Sequence, residues 1–202
     1  MPRGDDETYR RIKAAAVQLF AQQGYVATGI RTIAREAGFS TTALYVYVSN
    51  KEALLTDIIR QGFETLIGSA RSELADVRNP SARLAALVRQ HVRFEADHQM
   101  LANVITIEYQ FLSEEARLKV RPLRDTYENI WSEVIEEGVQ SGAFAAANSG
   151  LTRRALLEMC SAPESWYRAD GRLSVEDIGD IFSDMALNLV KAKRPTRPRG
   201  SK

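Results

Sequence analysis

Thr28, Arg31, Thr41, Thr42, Tyr45, Val46, Tyr47 and Lys51 place a guanidinium, three hydroxyls, two phenols, an isopropyl group and an ammonium within one short stretch of chain. A guanidinium pairs in bidentate fashion with guanine O6 and N7, hydroxyls meet base edges or phosphates, and an apolar group meets the thymine methyl. An ammonium or phenol holds a phosphate and so fixes register without reading sequence. Such a set reads a surface only if rigid elements hold it in one array.

The intervening residues supply those elements. Ile30, Ile33, Ala34 and Ala37 fall at i, i+3, i+4 and i+7, one face of a helix. Gly38 follows, where a left-handed residue ends a helix at little cost. Ser40, Thr41 and Thr42 offer N-caps for a second helix carrying Ala43, Leu44 and Tyr45. Two short helices around a glycine turn make a helix-turn-helix, whose second helix enters a DNA major groove. Thr41, Thr42 and Tyr45 then project from the start of the recognition helix and Val46 follows them. Arg31 and Thr28 lie at the start of the preceding helix, Arg31 for guanine and Thr28 for phosphate. Tyr47 and Lys51 are placed to clamp the backbone. The bland alternatives are a solvated Arg31, a surface Lys51 and a Tyr45 that serves only as core.

The charge distribution agrees with this placement. The net charge is only +1, but it is uneven: residues 1–60 carry eight Lys/Arg against six Asp/Glu, residues 61–190 thirteen against twenty, and residues 191–202 six against none. Phosphate would be repelled by the middle and not by the ends. The single cysteine, Cys160, excludes an intramolecular disulfide and suits a reducing compartment. It follows Leu156, Leu157 and Met159 and reads as core. With no signal peptide and no apolar run near 18 residues, a cytoplasmic protein without membrane contact is expected.

The whole chain reads as all-α, with no alternating strand pattern. A polar arm at 1–6 precedes a helix over Glu7–Gln23, with Ile12, Ala15, Ala16, Leu19 and Phe20 inward. After the helix-turn-helix, Ser49 or Asn50 caps a long helix that breaks at Asn79-Pro80. Helices over Ser81–His98 and Gln99–Phe111 follow. The next opens at Ser113 and runs to Ser141-Gly142, with Pro122 kinking it or marking a new start. The last two cover Asn148–Tyr167 and, from the Ser174 cap, 175 to about Val190. This predicts a three-helix DNA-binding domain at 1–50, a helical ligand-binding and dimerisation domain at 51–190, and a basic disordered tail at 191–202.

The first 55 residues resemble the DNA-binding domain of TetR-family transcriptional regulators. The matching strings are Ala14–Tyr25 (AAAVQLFAQQGY), Thr28–Ser40 (TGIRTIAREAGFS) and Leu44–Leu55 (LYVYVSNKEALL). Gly29 stands where a hydroxyl residue is frequent in that family, and Val48 where phenylalanine is usual. The resemblance implies a homodimer on a palindromic operator, most often a repressor, with an inducer pocket in the C-terminal domain.

In that C-terminal half Val88, His91, Val92, Glu95, Val104, Ile107, Glu108, Phe111, Tyr127 and Trp131 mix a few polar groups into apolar faces, as a ligand pocket does. His91 by itself reads first as a satisfied core or surface histidine and second as a ligand contact. The string from Trp166 to Ser174 (WYRADGRLS) resembles TetR regulators that sense acyl-CoA thioesters, which adds Trp166 to the candidates and gives Arg153, Arg154, Arg168 and Arg172 to the phosphates. Leu151, Leu156, Met159, Ile178, Ile181, Phe182, Met185, Leu187 and Leu189 on the last two helices offer apolar surface for an intersubunit four-helix bundle. No cofactor loop, nucleophile elbow or metal-ligand spacing is present, so neither a cofactor nor enzymatic activity is expected. The rival to a ligand-responsive regulator is a DNA-binding regulator with no small-molecule effector.

Overall fold

Six of the helices begin at a Ser or Asn whose side chain accepts a hydrogen bond from the backbone N–H three residues on, and these caps set the boundaries of the fold. The computed structural model describes residues 3–193, the side chains of 3–6 excepted. The expected basic tail lies, from residue 194 on, outside the described residues. No strand occurs among the described residues, and none of their helices is long and apolar enough to cross a membrane.

Helix α1 (Arg3–Gln23) already begins inside the stretch expected to be a polar arm. It buries Ile12, Ala16, Leu19 and Phe20 and packs on α2 (Ile30–Glu36), which in turn meets α3 (Thr41–Tyr45). Between α2 and α3, Gly38 adopts φ +78°, which an L side chain resists. A Cβ there would also lie 2.9 Å from the Arg11 guanidinium, which donates to Ala37 O and covers the Phe39 ring. The turn that sets the angle between α2 and α3 is thus pinned from α1.

Helix α4 (Lys51–Leu74) packs on both halves of the molecule. Asp57 accepts from the Tyr9 phenol at 2.6 Å, and Gln61 accepts from Lys13 at 2.6 Å. On its other side α4 meets α5 (Pro80–Asp97), α6 (Gln99–Ile107) and α7 (Glu114–Gln140). Gly62 lets α6 approach closely, because a side chain there would collide with Ile105. Helix α8 (Ser149–Ser161), the single turn α9 (Pro163–Trp166) and α10 (Val175–Leu189) complete the bundle. Helix α10 lies along α5, where Ser183 donates to Gly179 O and Ala85 O. Its start is a reciprocal capping box between Ser174 and Asp177.

Two expected helix ends also shift, and one expected new start is absent. The helix expected to reach Phe111 ends at Ile107 and finishes as a 3-10 turn over Glu108–Phe111. Pro122 neither starts nor ends a helix: α7 runs through it with the ring exposed, since only the amide it lacks is lost to the ladder. The helix expected to run to Tyr167 stops at Ser161, because Pro163 removes a donor and begins α9 instead.

Candidate nucleic-acid interface and cavity

On the outer face of the helix-turn-helix, Arg31, Thr42, Tyr45 and Val46 are exposed, Val46 by 78% and Tyr45 by 50%. Thr41 and Tyr47 are half-buried beside them. Leu44, Ile33 and Ala34 point inward, so the register that buries them turns Tyr45 and Val46 outward. This settles Tyr45 as surface, not core. Arg31 makes no ion pair among the described residues. Ser40 accepts from Ala43 N–H at 3.1 Å and fixes the start of α3, where these groups emerge.

Two of the expected contacts are built differently. Thr28 is 1% exposed, and its hydroxyl donates to Gly24 O at 2.8 Å, closing the α1–α2 turn instead of facing phosphate. Lys51 directs its ammonium at Tyr25 O (2.7 Å) and Thr28 O (2.8 Å) and sits 4.2 Å from the Tyr25 ring centroid. Burial lowers its pKa accordingly. Its charge neutralises the carbonyl-rich end of that turn, a positioning role within the protein.

The second site is a cavity of about 270 Å³ enclosed by α4, α6, α7 and α8 around α5. Its apolar walls are Phe63, Leu66, Ile105 and Leu157, with Tyr109 beside them. Arg124, Thr106 and Glu158 are exposed lining residues and mark the mouth. Tyr127, His91 and Glu95 are 3 to 4% exposed and mark the inner end. There His91 Nδ1 lies 2.6 Å from Tyr127 Oη, and His91 Nε2 lies 3.1 Å from Ser161 Oγ and 3.3 Å from Glu95 Oε1. Trp131 meets the His91 ring edge-on from behind.

Burial pushes the Glu95 carboxyl up to about 8, helped by the nearby Glu164, and pushes His91 down to about 4. The Tyr127 phenol and the Cys160 thiol are raised by the same desolvation, Cys160 to about 12. At neutral pH the inner end is therefore polar and uncharged. Cys160 is inert core, as its neighbours implied. A second hollow of about 310 Å³, lined by Arg71, Arg83, Asn129 and Glu133 among others, is a charged surface depression and lacks such an interior.

Of the pocket candidates, His91, Glu95 and Tyr127 come together. Val88, Val92, Val104 and Trp131 are fully buried but pack as core without lining the cavity. Ile107 and Phe111 are over 40% exposed outside it, Phe111 stacking on Tyr25 at 6.1 Å. Glu108 is buried facing the Gly24 turn, where an added Cβ would lie 3.8 Å from its Oε1. Trp166 is 48% exposed on α9 and does not line the cavity.

On α6 and the 3-10 turn after it the true lining residues are Ile105, Thr106 and Tyr109, a face turned one residue from the expected Val104, Ile107 and Glu108. Their i, i+1, i+4 spacing repeats in Leu157, Glu158 and Ser161 on α8, which was the signal available. Nor do the expected phosphate-binding arginines line the cavity: Arg153 pairs with Glu128 and Arg168 with Asp170. Arg124 stands at the mouth, near the Tyr109 ring that Arg117 also approaches. Among the proposed dimer residues, Leu156 and Ile178 belong to the protomer core, whereas Leu151, Ile181, Met185 and Leu189 are 41 to 67% exposed.

Residues 12–58 match the family described as bacterial regulatory proteins, tetR family, and residues 77–190 match the tetracyclin repressor-like C-terminal domain. The HTH-type transcriptional repressor KstR2 of Rhodococcus jostii (strain RHA1) is 27% identical over 175 residues, 86% of either chain. The fatty acid metabolism regulator protein of Bacillus subtilis (strain 168) is 28% identical over 134 residues, 66% of this chain and 69% of that one. The crystal structure of AibR in complex with isovaleryl coenzyme A and operator DNA superposes with a TM-score of 0.82 at 26% identity, covering 92% of this chain and all of that one.

Proposed function

Since the chain belongs to the TetR family of DNA-binding transcriptional regulators, we propose that it is a repressor held on a palindromic operator and released by a small hydrophobic effector, an acyl-CoA thioester. The observation that carries this reading is the cavity: apolar walls, buried polar groups at the inner end, and Arg124 at the mouth for a phosphate. The relative named for fatty acid metabolism and the isovaleryl-CoA complex of AibR support the same ligand class.

The operator is read by two copies of α3. Domain organisation follows: residues 1–50 carry the reading surface and residues 51–190 the cavity and the dimer contact. Leu151 on α8 and Ile181, Met185 and Leu189 on α10 give an apolar face that a second copy covers, as an isologous four-helix contact.

A thermal-shift screen of the purified protein against CoA thioesters of increasing chain length, each beside its free acid, tests the reading. A ligand at a hundredfold excess over Kd adds about 2.7 kcal/mol of stability. Stabilisation by a thioester and not its free acid, with release of operator DNA selected from a random duplex pool, is the expected result. Absence of any shift would leave a regulator without a small-molecule effector.

A further inference from the structure

One side of α7 changes character along its length. Arg117, Arg121, Arg124 and Tyr127 fall at i, i+4, i+7 and i+10, a single helical stripe. Tyr127 ends it at the buried inner end of the cavity, Arg124 lines the mouth, and exposed Arg121 and half-buried Arg117 continue it outward. At 1.5 Å per residue, Arg117 lies about 10 Å beyond Arg124 along the helix axis. All three guanidiniums gather at Tyr109, which lines the cavity from the 3-10 turn. Arg117 and Arg124 stand 5.7 and 5.6 Å from its ring centroid, and Arg121 interacts with its phenol. Arg117 Nη2 also donates to Gln110 O at 2.6 Å. Contacts with a ring, a phenol and a carbonyl hold the row in place without neutralising it.

We propose that this row binds phosphates of the effector, so that the part of the ligand leaving the mouth bears at least two phosphate groups, as the nucleotide end of coenzyme A does. Guanidiniums pair with phosphate oxygens through two N–H groups at once. Arg117 has no carboxylate partner among the described residues. Glu114 holds Arg121 through one nitrogen at 2.8 Å and Glu128 holds Arg124 through one at 2.9 Å, so donors remain on both. Both arginines are about half exposed, where an ion pair is weak, and a phosphate with more charge and more acceptor oxygens displaces the carboxylate. A single phosphate would leave one end of a row this long unused. Glu158 of α8, exposed at the mouth, repels an anion and confines it to the α7 side. An ordinary solvated helix face looks different: on the other side of α7, Lys119 meets only Glu115, one turn away, at 3.0 Å.

The proposal rests on the acyl-thioester reading for the chain that fills the cavity, and the test separates the two. Binding is measured calorimetrically for hexanoyl and dodecanoyl thioesters, each made on CoA, on 4′-phosphopantetheine and on pantetheine, and for adenosine 3′,5′-bisphosphate alone. The proteins are wild type, Arg117→Gln, Arg121→Gln and, as a control, Lys119→Gln. Wild type is expected to bind a CoA thioester about tenfold more tightly than the phosphopantetheine thioester of the same chain, and the pantetheine thioester most weakly. Either arginine variant should lose about tenfold for CoA thioesters and nothing for pantetheine thioesters, and Lys119→Gln should match wild type. Equal binding of CoA and phosphopantetheine thioesters, or arginine variants that bind like Lys119→Gln, overturns the proposal and leaves the thioester reading standing. Binding of the bisphosphate to wild type and not to Arg121→Gln, with no thioester bound, overturns the thioester reading and leaves the arginine row standing. Failure of every probe to bind overturns both.

Discussion

The reading head and the cavity are assembled by opposite strategies. Every exposed group of the reading head comes from residues 31–46, so two short helices and one glycine turn place all of them. The cavity draws on five helices, and its inner end joins His91 to Tyr127 and Ser161, 36 and 70 residues away in sequence. A site built locally is specified by spacing, and a site built by tertiary packing is specified by which face each helix turns inward. The first tolerates change elsewhere in the molecule. The second depends on every helix that encloses it.

The largest expected effect lies outside both sites. Met185→Glu puts a charge on the outward face of α10, which is not part of the protomer core, and should yield folded monomers by light scattering. Operator affinity should fall by a hundredfold or more, about 3 kcal/mol, as one head loses its partner. A dimer that survives would remove α10 from the interface.

The contrast sharpens with Arg31→Ala. It should weaken operator binding by roughly 1–3 kcal/mol and relax selection at one base position per half-site, while calorimetric binding of effector stays as in wild type. An unchanged selected consensus would deny Arg31 a base.

The cavity has a pH signature that the reading head lacks. Glu95 is raised in the folded protein, so folding takes up a proton, and that contribution is lost as pH rises from the ordinary carboxylate range to about 8. His91 is lowered to about 4, so its contribution is lost as pH falls below the ordinary imidazole value of 6.5. The two slopes oppose each other below pH ~6.5, and above it Glu95 acts alone, at about 1.4 kcal/mol per pH unit. Stability should therefore fall by about 2 kcal/mol between pH 6.5 and 8 in wild type and stay flat in Glu95→Gln, as thermal melts would record. Parallel profiles would place Glu95 in solvent contact.

The smallest effect is local. Ser40→Ala removes the cap of α3 and should cost about 1 kcal/mol, seen as weaker operator binding and a slightly lower melting temperature of the whole molecule. Weaker operator binding with an unchanged melt would show that the reading head unfolds by itself.

The same difference decided what was legible in the sequence. Helix starts were, because Ser40, Asn50, Asn79, Ser113, Asn148 and Ser174 each announce themselves by side-chain chemistry. The exposed groups of α2 and α3 were, because burying Leu44 and Ile33 leaves only one direction for Arg31, Tyr45 and Val46. Thr28 and Lys51 were misjudged for a common reason: a hydroxyl or ammonium can satisfy a backbone carbonyl as well as a phosphate, and only the folded turn shows which is near. In the cavity, His91 and Glu95 were legible as polar groups on an apolar face. The register of α6 was not, since Val104, Ile105 and Ile107 are equally apolar and the approach at Gly62 selects among them.

Lys51 and Glu52 stand side by side at the start of α4 and grip opposite neighbours. Lys51 holds the carbonyls of Tyr25 and Thr28, and Glu52 accepts the Ser113 N–H at 2.6 Å. A single peptide unit is thus the rivet through both halves of the molecule. A fragment cut at residue 50 would lose that rivet together with Leu54, Leu55 and Ile58, which are buried in the one core common to both. The reading head is therefore no detachable module: a chimera that borrows its specificity must carry the first turns of α4 with it, and the Glu108–Ser113 segment they lean on.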